Sequence, residues 1–258
     1  GYASMGNSNV GTTGFSTSYD ANEGGQLEDL YNAPAASSMR TGRMTMDDVV
    51  TRTGMLFAIL LVTGGFAWKS NLGGGALIGS LIGATVLGLV ISFSRKVRPA
   101  LILTYAALEG IALGVISHYY EAAYPGIVSQ AVIGTLGAFV GILFAYKTKR
   151  IRVTEKFNRT MGAALIGYLV VGLASMIAGM FGMNQGFGFY KPHSSLALLL
   201  CVAGVGLATF FLVVDFDQIE KMIAAGAPHE EAWRAGFGLM VTVVWLYMEV
   251  LRLLSYLR

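Results

Sequence analysis

Phe211-Leu-Val-Val-Asp-Phe-Asp-Gln-Ile-Glu-Lys221 ends one of the longest apolar runs of the chain and places an acid, Asp215, at its edge. Two more acids lie inside apolar runs: Glu249 within Val241 to Leu254, and Glu109 within Leu101 to Ser117. A charge in hydrocarbon costs roughly 2.5–3.5 kcal/mol on insertion scales, so acids so placed are functional candidates by default. The reading turns on whether these runs cross a membrane.

Composition says that they do. Of 258 residues, 54% are hydrophobic and 13% charged, against about 25% charged in a soluble domain. Mean hydropathy is +0.60, and 34 glycines suit membrane helices. The sequence predicts an all-α fold, a polytopic helical bundle of seven spans at about 50–68, 74–94, 99–119, 125–147, 160–183, 194–215 and 235–256. Residues 1–44 are rich in Gly, Ser, Asn and Thr, and read as a tail that is disordered or docked on a partner. Residues 45–258 form the membrane domain. Thr45 reads as a helix N-cap, with Asp47 and Asp48 in the first turn. No charged stretch followed by a short apolar one marks a cleavable signal peptide near the start.

Net charge is +3, and its sources are short loops. Arg95, Lys96 and Arg98 follow the second span; Lys147, Lys149, Arg150, Arg152, Lys156 and Arg159 follow the fourth; Lys221 and Arg234 follow the sixth; Arg40, Arg43 and Arg52 precede or open the first. The alternate loops hold only Lys69 and Lys191. The positive-inside rule then puts the amino terminus in the cytoplasm and, if the last segment crosses fully, the carboxy terminus outside. If that segment is re-entrant, both ends lie inside. The basic clusters speak for topology and lipid headgroups, and nucleic acid is not a partner. Trp68, Trp233, Tyr119 and Tyr120 suit interfacial belts.

Four-residue glycine spacings (Gly75, Gly79, Gly83; Gly110, Gly114; Gly137, Gly141) read as internal helix packing rather than a dimer face. One cysteine, Cys201, excludes an intrachain disulfide and a multi-cysteine metal site. His118, His193 and His229 lack metal-ligand spacing. No phosphate-binding loop, dinucleotide fingerprint or nucleophile elbow is present, so no cofactor is expected and an enzyme is the least favoured class.

On a helix Asp215 and Asp217 point about 200° apart, so one pocket cannot hold both. Asp215 is the deeper; Asp217 should face water near Lys221. Glu249 has Arg252 three residues on, which allows a local ion pair. Counted from the predicted start of the last span, Glu249 lies about 14 residues in, which for straight helices puts it well above Asp215. A meeting of the two needs a later start of that span or a bend into the membrane.

Val213-Val-Asp215-Phe-Asp-Gln-Ile219, followed by Leu246-Tyr-Met-Glu249-Val-Leu-Arg-Leu-Leu254, resembles the Bax inhibitor-1 (transmembrane Bax inhibitor motif) family, in particular its bacterial YccA-like branch. The resemblance covers about residues 45–258. It implies a pH-sensitive Ca²⁺ leak channel of the cell membrane, here the bacterial inner membrane. Two facing carboxylates that share a proton hold the pore closed in that picture. Asp215 matches the first acid. Glu249 matches the second, where the family usually has Asp. Arg95 is the nearest match to the family's latch arginine, with Arg98 next. Glu109 has no counterpart; facing a pore, its oxygens would suit Ca²⁺. The alternatives are a non-conducting regulatory protein that binds a membrane protease or larger membrane complex through its tail, and, more weakly, a proton-coupled transporter.

Overall fold

The computed structural model describes residues 42–70, 72–148, 153–182, 189–190 and 194–258. The chain divides into residues 1–37 and 38–258, and the described helices belong to the second unit. They are α1 (Met46–Lys69), α2 (Gly74–Phe93), α3 (Pro99–Ala123), α4 (Ile127–Lys147), α5 (Glu155–Met180), α6 (Ser195–Ala224) and α7 (Glu231–Leu257). All seven are long and apolar enough to cross a membrane. Their outer faces are those of a bilayer protein: Val62 is 72% exposed, Phe144 70% and Phe93 84%, where a water-soluble fold would place polar side chains. The fold is all-α, as the sequence predicts.

Helix ends follow local chemistry. Thr45 caps α1 through a capping box: Asp48 N–H donates to Thr45 Oγ1 at 3.3 Å, and Thr45 N–H donates to Asp48 Oδ2 at 3.0 Å. Pro99 opens α3, where its fixed φ and missing N–H cost nothing. Thr154 caps α5 by accepting from Phe157 N–H at 3.1 Å, so α5 starts earlier than 160 and carries Lys156 and Arg159 on its first turns.

The largest departure from the predicted boundaries is in α6. It runs on to Ala224, so Asp215 lies nine residues inside a helix rather than at its edge. The apolar run ends at 214, but the helix does not, because Asp217 and Lys221 pair along it at 2.6 Å. The last segment is one unbroken helix of 27 residues, long and apolar enough to cross a membrane.

Helix α7 lies at the centre. Leu56 and Leu60 of α1, Ile102 and Ala106 of α3, and Met240 and Val244 of α7 form one core. Ala208, Leu212 and Phe216 of α6 pack on Leu239, Val243 and Leu246 of α7 in another. The α1–α3 contact is the closest in the bundle. A Cβ built on Gly114 would lie 2.2 Å from the Gly64 carbonyl oxygen, so only glycine fits there. Gly110 and Gly114 therefore serve internal packing, whereas a Cβ built on Gly75, Gly79, Gly137 or Gly141 would meet nothing from another helix within 4 Å. Helix α5 is the loosest, with Ser175 as its one buried residue.

Just before α1 the chain is pinned to the turn between α6 and α7. Met44 N–H donates to Ala227 O at 2.8 Å and His229 N–H to Gly42 O at 3.0 Å. Arg52 donates to the His229 carbonyl and lies 5.4 Å from the centre of the Trp233 ring. The predicted tail up to residue 41 lies outside the described residues, as do Arg40, Lys149, Arg150, Arg152, Lys191 and His193.

Candidate functional site

Thr242, Trp245, Glu249 and Arg252 follow one another on α7 at spacings of three, four and three, which keeps them on one side of the helix. Glu249 is only 3% exposed. Its Oε1 accepts from Tyr168 Oη of α5 at 2.8 Å, from Trp245 Nε1 at 3.2 Å and from Arg252 Nη1 at 3.1 Å, and Arg252 Nη1 also lies 3.3 Å from Oε2. A buried carboxylate is tolerable when paired and hydrogen-bonded in this way. The ion pair at three-residue spacing is the one that the sequence allows. Opposite it α6 presents Gly204: a Cβ there would lie 2.7 Å from Glu249 Oε2 and 2.5 Å from Tyr168 Oη.

Above this pair, at the end of the bundle away from the Arg95–Arg98 loop, is a cleft of about 350 Å³ lined by Tyr168, Gly172, Ser175, Met176, Tyr190 and the Glu249–Arg252 pair. The Arg252 guanidinium lies 4.8 Å from the centre of the Tyr190 ring, a cation–π distance. Tyr256 Oη donates to the Tyr190 carbonyl and so fixes that wall. Ser175 accepts from Phe189 N–H at 2.9 Å.

Asp215 occupies a different environment. Thr242 of α7 is the hydroxyl within reach of its carboxylate, and this hydroxyl also reaches Gly238 O at 3.2 Å. A hydroxyl has one proton and can serve one acceptor at a time. Asp215 Oδ2 is buried and has no hydrogen-bond partner, a state it shares among the described residues with Thr53 Oγ1. Thr53 abuts the same helix, 2.9 Å from where a Cβ of Gly236 would stand. Buried polar atoms without partners are uncommon and call for an explanation.

The expected proton-sharing pair of Asp215 and Glu249 is not assembled. Glu249 faces Gly204, which precedes Asp215 by eleven residues on α6, or about 16 Å at a rise of about 1.5 Å per residue. Thr242, the neighbour of Asp215, precedes Glu249 by seven residues, or about 10 Å. The reason is the full length of α7: it starts at Glu231 without a bend, so its nineteenth residue stands about two turns beyond Thr242, the neighbour of Asp215. Straight helices thus keep the separation that the residue count implies.

Asp217 pairs with Lys221 but is half-buried, its side chain 17% exposed, whereas Glu220 is exposed, as expected of a solvated acid, and accepts from Tyr146 Oη at 2.7 Å. Arg95 is exposed. The loop that carries it is held instead by Arg234 of α7, which donates to the carbonyls of Ser94 at 3.0 Å and Arg95 at 3.4 Å. Glu109 is half-buried on α3, with the Tyr105 hydroxyl approaching from one turn earlier. The structure therefore does not bring Asp215, Glu249, Arg95 and Glu109 into one site. Sequence reading missed Trp245, Tyr168, Tyr190 and Gly204. Trp245 was legible as the residue one turn before Glu249; the others come from distant helices and carried no local signal.

The sequence profile of the family described as Bax inhibitor 1 like matches residues 8–258. The chain belongs to the Bax inhibitor 1 like family. The match starts inside the stretch that the acid motifs alone leave out, so the segment before α1 shares the family's pattern. An uncharacterized protein of Chlamydia muridarum (strain MoPn / Nigg) is 23% identical over 158 residues. That alignment covers 61% of this chain and 61% of the relative, so the chain spans less than two thirds of that protein's length.

Proposed function

We propose that this Bax inhibitor 1 like protein is a pH-sensitive Ca²⁺ leak channel of the bacterial inner membrane, with its amino terminus in the cytoplasm and its gate at Asp215 alone. One observation carries the reading: a carboxylate oxygen buried at the α6–α7 seam without a donor. Carboxylate oxygens are the ligands that Ca²⁺ takes, and a proton competes for the same lone pairs. With Asp215 neutral, the seam packs as described. Ionised, the carboxylate demands water or a cation, and the cost of leaving it dry favours a looser seam. Glu249, with its charge held by Arg252, forms the polar floor of the outer cleft and is not the second half of the gate. Family membership and the arrangement of basic loops support this placement.

Reconstitution in liposomes loaded with a Ca²⁺ dye, at about pH 6 and about pH 8, tests it. Flux should be greater at the higher pH, and Asp215→Asn should flatten the difference while Glu249→Gln leaves it in place. Absence of flux from the parent at both values would sink the reading.

A second reading, a regulatory protein that docks a membrane-protein partner through its amino-terminal tail, is favoured by one feature. Residues 42–44 are hydrogen-bonded to the turn that joins α6 to α7, so a partner on the tail would act on the hairpin that holds both acids. Removing residues 1–41 and comparing co-purified proteins decides it.

A further inference from the structure

Between the outer cleft and Asp215 stands a row of three tilted rings. Trp245 of α7 lies 5.8 Å from Tyr168 and 6.0 Å from Phe211, ring centre to ring centre. Phe211 is one turn before Asp215 on α6; Trp245 is one turn before Glu249 on α7 and just beyond Thr242, the neighbour of Asp215. The remaining space at this level is filled by Ala208, Leu212 and Leu246, none of which is exposed. The polar side chains of the intervening turns are engaged elsewhere: Thr209 Oγ1 donates to Val205 O at 2.6 Å, and Tyr247 Oη meets Ser117 Oγ at 2.7 Å on α3. A desolvated ion entering from the cleft therefore meets Glu249, then an apolar layer, then Asp215. Trp245 is the central ring of that layer, in contact with both Tyr168 and Phe211, and its indole N–H is bonded to Glu249, as is the Tyr168 hydroxyl.

We propose that Trp245 is the barrier of the permeation path, held across it by its hydrogen bond to Glu249. The inference rests on the leak reading for its purpose but not for its geometry. It assigns Glu249 a positioning role: the acid orients the indole that closes the path.

Two measurements test it. In the first, Asp215→Cys is introduced together with Cys201→Ala, and labelling by a trimethylammonium-bearing methanethiosulfonate is timed in the intact protein. Adding Trp245→Ala should speed labelling about tenfold or more. Trp245→Phe keeps a ring but drops the donor and should speed it less. Val244→Ala, which thins the other core, should leave the rate alone. In the second, Ca²⁺ entry into dye-loaded liposomes is compared for the parent and Trp245→Ala with Asp215 in place; the variant should leak faster at the pH where the parent is closed. An unchanged labelling rate in both Trp245 variants overturns the barrier, and flux in the parent would then leave the leak reading standing. Faster labelling with no flux from any protein keeps the barrier and refutes the leak.

Discussion

Gly204 of α6 faces the Glu249 carboxylate of α7 so closely that a methyl group at 204 would lie 2.7 Å from Oε2 and 2.5 Å from the Tyr168 hydroxyl. Three helices meet at that point, and the absence of a side chain is what lets them. Gly204→Ala should push the carboxylate off Arg252 or α5 off the bundle, at a cost of about 1–3 kcal/mol, as for other overpacked sites. A lowered melting temperature together with a shifted Trp245 emission, read in a Trp68→Phe, Trp233→Phe background, would register both effects.

Arg252 neutralises an acid that is nearly inaccessible to water. Arg252→Gln should destabilise the protein by roughly 3 kcal/mol, since it strands a buried charge, whereas Glu249→Gln with Arg252→Gln should recover much of that loss. Thermal unfolding in detergent of the two single variants and the double one reads the coupling. Additive losses would mean that the pair is not a unit.

The α1–α3 crossing offers a control within one chain. The Cβ of Gly114→Val meets the Gly64 carbonyl, while that of Gly141→Val has open space around it. The first should abolish folding or cost about 3 kcal/mol or more; the second should be tolerated. Yield and monodispersity on gel filtration separate them, and equal behaviour would contradict the close crossing.

At the start of α1, Thr45→Ala removes an acceptor for Asp48 N–H and should cost about 1 kcal/mol, with Thr45→Ser nearly neutral. Amide exchange at residues 46–48 is the direct measurement, because loss of a cap frays the first turn before it affects the bundle.

The spans were legible because each apolar run is long and its neighbours are charged or turn-forming. Boundaries were less so where a helix outruns its apolar stretch: α6 continues through Asp217 and Lys221 on intrahelical pairing, which hydropathy does not register. Asp215, Glu249 and the Glu249–Arg252 pair could be picked out from position and spacing alone. What surrounds them could not. Tyr168 and Gly204 reach Glu249 from α5 and α6, and which faces of those helices turn inward is set by packing along helices that are apolar on every side. The Asp215–Glu249 pairing failed for a plainer reason: a resemblance between motifs carries no depth, and counting residues along a straight α7 does.

The hydrogen bonds that join residues 42–44 to residues 227–229 have a consequence in time rather than space. Met44 cannot find its acceptor, Ala227, until the ribosome has made α1 to α6, and the Arg52 side chain waits equally long for His229. Contacts so far apart in sequence form late, after the local ones. Helix α1 therefore remains unanchored at its start while α2 to α6 are laid down, and the α6–α7 hairpin, with its acids, then locks α1 in place.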